Sequence, residues 1–125
     1  MERLLSYKLL SSCAKKPNKC NYKDVAFEIY SAEVISIPVF SRAMIETDLE
    51  IHFPIGYYGL ITSHPELALE HQVDASFSIL ENFTENAKVL LINNGSKQFD
   101  INIGDKIAIF SVNKYYDQYL VVEKL

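Results

Sequence analysis

Apolar residues in this chain recur at every second position within short segments, and turn-forming residues separate these segments. Phe27 and Ile29 alternate with more polar neighbours, and Leu49, Ile51 and Phe53 repeat the spacing. Successive side chains of a strand point to opposite faces of a sheet, so this spacing places the apolar side chains on one face. The pattern predicts an all-β sandwich or barrel built from short strands.

The length and composition suit a single domain over residues 1–125. Apolar residues make up 49% of the 125-residue chain, which is too large a share for a disordered segment. The chain has eight Tyr and seven Phe but no Trp, and aromatic side chains favour sheets. We therefore expect one hydrophobic core enclosed by strands.

Each strand is predicted from an alternating or apolar run that is bounded by turn-forming residues. The predicted strands cover residues 4–10, 25–30, 34–37, 43–53, 60–62, 88–93, 99–103, 106–112 and 119–122. The polar residues 11–24, which include Pro17, are predicted to form a loop.

Local signals predict two turns and one short helix. Residues 56–59 are predicted to form a turn, and Asn94-Gly95 predicts a two-residue β-hairpin because both residue types accept positive φ. Ser63 stands three residues before Glu66, which is the spacing of a capping box and predicts a helix over 65–71.

The charge and the cysteine content narrow the partners and the location of the chain. A formal net charge of -4 disfavours general nucleic-acid binding, which needs a basic surface. No apolar run approaches the roughly 20 residues of a membrane helix. The first residues lack a secretory signal core, so an intracellular protein in the cytoplasm, the nucleus or both is expected, without a membrane partner. Cys13 and Cys20 are free or paired, and His52, His64 and His71 are too distant from them in sequence to complete a metal site.

Several segments of the chain follow one another in an order that is more specific than any single motif. They are Lys8–Leu10, Ala14–Pro17, Val25–Ala32, Pro54–Gly59, Leu67–Asp74, Lys88–Asn93 and Gly104–Ala108. In this order and spacing the chain resembles the trimeric dUTPase family. Val25–Ala32 is similar to the first motif of that family, and Gly104–Ala108 is similar to the fourth.

The resemblance implies a distorted jelly-roll of the dUTPase type, with one short helix, that assembles as a homotrimer. In that family the active sites lie at subunit interfaces, where an Asp activates a water and Mg²⁺ binds the phosphates. Arg, Ser and Gly groups of that family donate hydrogen bonds to the phosphates. The activity that the resemblance implies is hydrolysis of dUTP to dUMP and diphosphate.

Two of the matching motifs carry residues of different chemistry at the positions that handle phosphate. Glu28 stands where the first motif has Asp, and its longer side chain displaces a positioned carboxylate. The second motif has Arg, Ser and Gly, and this chain has His64, Pro65 and Glu66 at those positions. Hydrogen-bond donors to phosphate are therefore lost, and a negative charge is added. The alternatives are an outward-facing strand residue at Glu28 and an ordinary helix start over 63–66.

The later motifs are altered as well. Glu81 stands at the position of the catalytic base, and Phe83 replaces the Tyr that lies beneath the deoxyribose. Both residues belong to Ser78–Phe83, which is similar to the third motif of the family. This motif forms a hairpin, and one of its residues is missing here. A deletion in a hairpin shifts the register of its strands. Ile109 stands where the fourth motif has Gln, and the Gly-rich fifth motif has no counterpart.

Two functions follow from these differences. The altered motifs predict a non-catalytic dUTPase-like protein that acts as a protein-interaction or regulatory factor, without a cofactor and with an unidentified protein partner. Such a protein would be similar to the dUTPase-derived early proteins of some adenoviruses. The alternative is a weak or altered dUTP pyrophosphatase, in which Glu28, Glu66, Asp74 and Glu81 supply carboxylates for Mg²⁺.

The last residues of the sequence predict one form of partner binding. Glu123 stands two residues before the apolar Leu125, and a tail of this kind adds as a strand to a PDZ groove. The alternative is that residues 119–122 pair with a neighbouring subunit and the remaining residues fray.

Overall fold

The computed structural model describes residues 5–20, 26–115 and 120–125, and its regular structure is almost entirely β. The strands are β1 Ser6–Leu9, β2 Asn18–Lys19, β3 Ala26–Tyr30, β4 Ile35–Ile37, β5 Arg42–Glu46, β6 Leu49–His52, β7 Tyr57–Ser63, β8 Val73–Ala75, β9 Ser78–Leu80, β10 Phe83–Thr84, β11 Lys88–Asn93, β12 Phe99–Ile101 and β13 Lys106–Lys114. A short π-helix over Leu67–His71 lies between β7 and β8. The predicted all-β class with a short helix is confirmed.

The strands pair in antiparallel sheets whose neighbours are distant in sequence. The largest sheet has the order β2-β3-β13-β7-β9, and the others have the orders β1-β6-β10, β5-β11-β8 and β12-β4. Strand β13 lies between β3 and β7, so one strand from late in the sequence joins two earlier ones. Long crossovers of this kind are typical of jelly rolls.

One cluster of buried apolar side chains forms the core, and every sheet contributes to it. Phe110 of β13 is fully buried; its ring stacks on Phe27 with centroids 5.3 Å apart and meets Phe53 edge-on at 6.1 Å. Leu49 and Ile51 of β6 are also buried and alternate with half-buried neighbours. The period of two seen in the sequence therefore separates core from surface as predicted.

The predicted strand over 43–53 is two strands, β5 and β6, because the chain turns at Asp48. Asp48 has a φ of 50°, which lies in the left-handed region that strands do not use. The Leu10 N–H donates to the Asp48 carbonyl, and the Ser11 hydroxyl donates to the Asp48 carboxylate at 2.7 Å. Contacts from a distant part of the chain thus stabilise a break that the alternating pattern hides.

The predicted turn over 56–59 is shorter than expected. Gly56 has a φ of 88° and lies in the turn, but Tyr57–Ser63 forms β7. Gly59 lies within this strand. The position requires glycine because a Cβ there would lie 2.4 Å from Cζ of Phe53. The second glycine therefore permits close packing and does not bend the chain.

The predicted hairpin at Asn94-Gly95 is wrong. Strand β11 pairs with β5 and β8, whereas β12 pairs with β4. The buried Asn93 side chain accepts from the Gly95 N–H and donates to the carbonyls of Ile37 and Lys97. These three hydrogen bonds direct the loop away from β11.

The predicted strands near the ends of the sequence are only partly present. Strand β1 lies within the predicted 4–10, and the predicted loop over 11–24 contains the short β2. Leu120–Val122 adopt no strand and are largely exposed, and Tyr119 lies outside the described residues. Cys13 and Cys20 are both free. Within the described ranges no helix is long and apolar enough to cross a membrane.

The variant Gly59→Ala is expected to lower the free energy of unfolding by about 1–3 kcal/mol, because the added methyl group overlaps the Phe53 ring. Urea unfolding measures the change. The double variant Phe53→Leu with Gly59→Ala removes the overlapping ring atoms and should lose less than the sum of the single changes. Purely additive losses would show that the two residues do not clash.

Candidate functional site

A surface cleft of about 660 Å³ between β3, β13 and the short helix contains two of the carboxylates that the sequence singled out, Glu28 and Glu66. Its lining combines four carboxylates with two lysines and an imidazole. The lining residues are Lys15, Glu28, Tyr30, Glu66, Leu67, His71, Phe99, Asp100, Gly104, Asp105 and Lys106.

Glu28 on β3 contacts three polar side chains around this cleft. Its Oε2 lies 2.7 Å from Nε2 of His64 and 3.5 Å from Nζ of Lys106. The Tyr30 hydroxyl donates to Oε1 at 3.3 Å. Only 15% of the Glu28 side chain is exposed, so three partners hold a carboxylate that water reaches poorly.

The partners of Glu28 decide its charge. Burial by itself raises the pKa of Glu28, but the hydrogen bond from His64 and the charge of Lys106 outweigh burial and lower the pKa below its ordinary value. In return, the charge of Glu28 raises the pKa of Lys106. The cleft therefore contains an ionised carboxylate and an ammonium group at neutral pH.

The lowered pKa of Glu28 predicts a pH dependence of stability. Ionised Glu28 stabilises the fold at pH values above the pKa of a free Glu, and this contribution is lost as the pH falls through the folded pKa. Glu28→Gln should therefore flatten the decline of unfolding free energy below roughly pH 5. Urea unfolding at several pH values measures it, with the exposed Glu85→Gln as the control. An unchanged acid slope in Glu28→Gln would contradict the expectation.

The side chain of His64, and not that of Ser63, accepts a backbone N–H next to the short helix. Its ring is fully buried, and Nδ1 accepts the Glu66 N–H at 3.2 Å. The predicted capping box is wrong, because Ser63 belongs to β7 and its hydroxyl oxygen accepts the Ala75 N–H at 2.9 Å. The His64 ring thus contacts both Glu28 and the backbone of Glu66, the residue before the short helix.

Lys106 is a site residue that the sequence did not single out. Its Nζ lies 3.5 Å from Glu28 Oε2 and 3.8 Å from Glu66 Oε2. A second ammonium group, on Lys15, lies 4.1 Å from the ring centroid of Tyr30. The position of Lys106 within the fourth motif was visible in the sequence, but its contact with Glu28 depends on the pairing of β13 with β3.

Glu81 and Phe83 lie in a different surface region from Glu28. With Ile79 they line two adjoining clefts of about 460 and 510 Å³. Phe83 is half exposed and its ring stacks on His52, with centroids 4.4 Å apart. Glu81 follows β9, which is three strand spacings, roughly 14 Å, from β3 in the largest sheet. One chain therefore does not bring Glu81 to Glu28.

The remaining predicted site residues are placed as follows. Ile109 pairs with Glu28 across β3 and β13, so the two side chains share one face of the sheet. Pro65 is exposed at the start of the helical turn. Glu123 and Leu125 are exposed and lie outside any strand, and the PDZ-type tail stays a prediction.

The carboxylates expected to bind Mg²⁺ do not converge. The structure brings Glu28 and Glu66 into one cleft, whereas Asp74 and Glu81 do not line it. Lys106 lies against both carboxylates of the pair. Within residues 5–20, 26–115 and 120–125, no group of three or more His, Cys, Asp or Glu side chains is placed for a metal ion. The structure therefore does not assemble the four carboxylates into one site.

Comparison with known proteins identifies the class and then the family. A solved structure of a dUTPase from phage phi11 of S. aureus matches with a TM-score of 0.87 and 22% identity, covering 98% of this chain and 97% of that one. The fold is therefore an all-β fold of the dUTPase type. The sequence profile of the dUTPase family matches residues 13–124, and the chain belongs to this family.

Relatives with named activities match most of the sequence. The chain is 29% identical to the deoxyuridine 5'-triphosphate nucleotidohydrolase of Saccharomyces cerevisiae, over 99% of this chain and 86% of that protein. It is 35% identical to the protein of the same name from Fowlpox virus, over 86% of this chain and 74% of that protein. The rat protein of this name is longer, and the match spans 51% of it.

These relatives overturn one prediction. The altered motifs predicted a non-catalytic interaction or regulatory protein, but the proteins that match most of the chain at about 30% identity are named as dUTP nucleotidohydrolases. The prediction of a non-catalytic role is therefore wrong, and dUTP hydrolysis is favoured. The predicted membership of the dUTPase family is confirmed.

Proposed function

We propose that this chain hydrolyses dUTP to dUMP and diphosphate. The observation that carries the proposal is the match to named dUTP nucleotidohydrolases, at 29% identity over 99% of the chain and at 35% over 86%. The altered motif residues are expected to make the reaction slow, because a misplaced group costs rate without changing the reaction class.

The cleft around Glu28 is proposed to receive the phosphates. The Arg, Ser and Gly groups implied by the family resemblance are replaced by His64, Pro65 and Glu66. The Nε2 of His64 is already hydrogen-bonded to Glu28. Lys106 and Lys15 are the cations that line the cleft, and an ammonium group binds phosphate as a point charge. The ion pair with Glu28 restrains Lys106 at the lining of this cleft.

Glu81 is proposed to act as the general base that takes a proton from the attacking water. Its carboxylate is exposed in an open cleft. Phe83 and Tyr58 line the same region, and their rings offer flat apolar faces to a sugar or a base. A Glu carboxylate that lies within reach of the reacting water can accept its proton, as His and Asp do in other enzymes.

The separation of the two clefts supports a site shared between subunits. Strand β3, which carries Glu28, and strand β9, which Glu81 follows, are three strand spacings apart, roughly 14 Å, which is too far for one water molecule to connect the two carboxylates. A homotrimer would bring the Glu28 cleft of one subunit to the Glu81 cleft of its neighbour. The exposed apolar residues 120–122 offer additional surface for such an assembly.

The test of the proposed function is release of diphosphate from dUTP in buffer with Mg²⁺, compared with dCTP, dTTP and UTP. Turnover of dUTP that exceeds turnover of the other three supports the proposal. No release of diphosphate by a folded protein at micromolar concentration would overturn it.

The shared site has a separate test. Glu28→Gln and Glu81→Gln proteins, each expected to have reduced activity alone, should show higher activity when they are unfolded and refolded together. In a mixed trimer about one quarter of the interfaces combine an intact Glu28 with an intact Glu81. No recovery on mixing, or light scattering that reports only the 14.3 kDa monomer, would contradict a shared site.

A further inference from the structure

We infer that His64 is a positioning residue: its neutral ring, protonated on Nε2, holds the Glu28 carboxylate in place and through it holds Lys106 in the cleft. The effect on turnover rests on the proposed function. The protonation state of the ring and its hydrogen bond to Glu28 do not depend on the proposed function.

The contacts of the two ring nitrogens decide the tautomer. A neutral imidazole has one nitrogen that donates and one that accepts. The Glu66 N–H is a donor and points at Nδ1 at 3.2 Å, so Nδ1 must accept and cannot carry the proton. The proton is therefore on Nε2, which donates to Glu28 Oε2 at 2.7 Å. The His64 side chain is 0% exposed, so solvent does not compete for either nitrogen.

The backbone on both sides of His64 fixes the ring. Before it, Ser63 ends β7 and its hydroxyl oxygen accepts the Ala75 N–H at 2.9 Å. After it, Pro65 has a restricted φ, and the Ala68 N–H donates to the His64 carbonyl at 3.0 Å. A donor whose orientation is set by packing and hydrogen bonds is preorganised for its acceptor.

The other partners of Glu28 are weaker anchors than His64. Lys106 is 43% exposed and reaches Glu28 at 3.5 Å through a flexible side chain. The Tyr30 hydroxyl contacts the other carboxylate oxygen at 3.3 Å. Without the 2.7 Å hydrogen bond from His64, the Glu28 carboxylate is expected to follow Lys106 toward solvent. The ammonium group would then lose its defined position in the cleft.

Two substitutions separate the two functions of the ring. His64→Gln places an amide NH₂ near the position of Nε2 and keeps the donor to Glu28. His64→Asn places an amide oxygen near the position of Nδ1 and keeps the acceptor for the Glu66 N–H, but it does not reach Glu28. If His64 acts by positioning Glu28, the glutamine variant keeps most of the kcat/KM for dUTP, and the asparagine variant loses about 10-fold or more. Equal losses in both variants would contradict the inference.

NMR of the wild-type protein tests the inference without any enzyme activity. The ¹⁵N shifts of the His64 ring should show a protonated Nε2 and an unprotonated Nδ1. The carboxyl signal of Glu28 should titrate below the range of a free Glu in the wild type and in His64→Gln, and move upward in His64→Asn. A protonated Nδ1 in the neutral ring, or an unchanged Glu28 titration in His64→Asn, would overturn the inference. If these signals are as expected but dUTP is not hydrolysed, the proposed function fails and the positioning of Glu28 stands.

Discussion

Glu81→Gln is expected to lower turnover of dUTP by about 10²–10⁴-fold, the usual contribution of a general base. The amide has nearly the shape of the carboxylate but cannot accept the proton of the attacking water. Because Glu81 is exposed, the variant should keep the fold and the stability of the wild type. The measurement is the initial rate of diphosphate release at saturating dUTP.

Glu85→Gln is the matched control for this result. Glu85 is an exposed carboxylate in the same cleft, so its removal changes the local charge by the same amount. Its rate should stay within a few-fold of the wild type. Equal losses in both variants would assign the effect to charge around the cleft, and an unchanged rate in Glu81→Gln would place the base at another residue.

Phe110→Ala is expected to lower the free energy of unfolding by about 3–5 kcal/mol, as deletions of buried aromatic rings do. Phe110 is 0% exposed and lies in the central strand of the largest sheet. The substitution removes its stacking on Phe27 and its edge contact with Phe53, and leaves a cavity beside these two rings. Urea unfolding followed by circular dichroism measures the change.

Phe77→Ala provides the comparison for Phe110→Ala. Phe77 has the same side chain but is 67% exposed, so its removal should change the stability by no more than about 0.5 kcal/mol. The difference between the two variants isolates the contribution of burial. Similar losses in both would show that Phe110 does not lie in the core in solution.

The strands and the core were largely predictable because side-chain alternation is a local property. A period of two assigns Leu49 and Ile51 to the core whatever their strand pairs with. The signals that failed depend on residues distant in sequence. Asn94-Gly95 has the composition of a hairpin turn, but the side chain of Asn93 bonds Ile37, 56 positions away, and directs the loop elsewhere.

The candidate site was predictable residue by residue but not as an arrangement. Comparison with the family motifs singled out Glu28, His64 and Glu66, yet nothing local indicates that His64 contacts a residue 36 positions earlier. Lys106 was missed for the same reason, because its contact follows from the register of β13 against β3. The motif substitutions predicted a non-catalytic role that the named relatives contradict, because a comparison of motifs counts the groups that are lost and does not show the contacts that replace them.

An irregularity in β13 lies between Lys106, which lines the cleft, and the buried residues that follow it. The register shifts between Lys106, which pairs with Tyr30, and Ala108, which pairs with Ile29, and the extra residue, Ile107, is buried. A bulge of this kind re-aims the side chains that precede it relative to those that follow. A charge change at Lys106, which lies before the bulge and is partly exposed, is therefore expected to act on the cleft and to change the packing around the buried Phe110 very little.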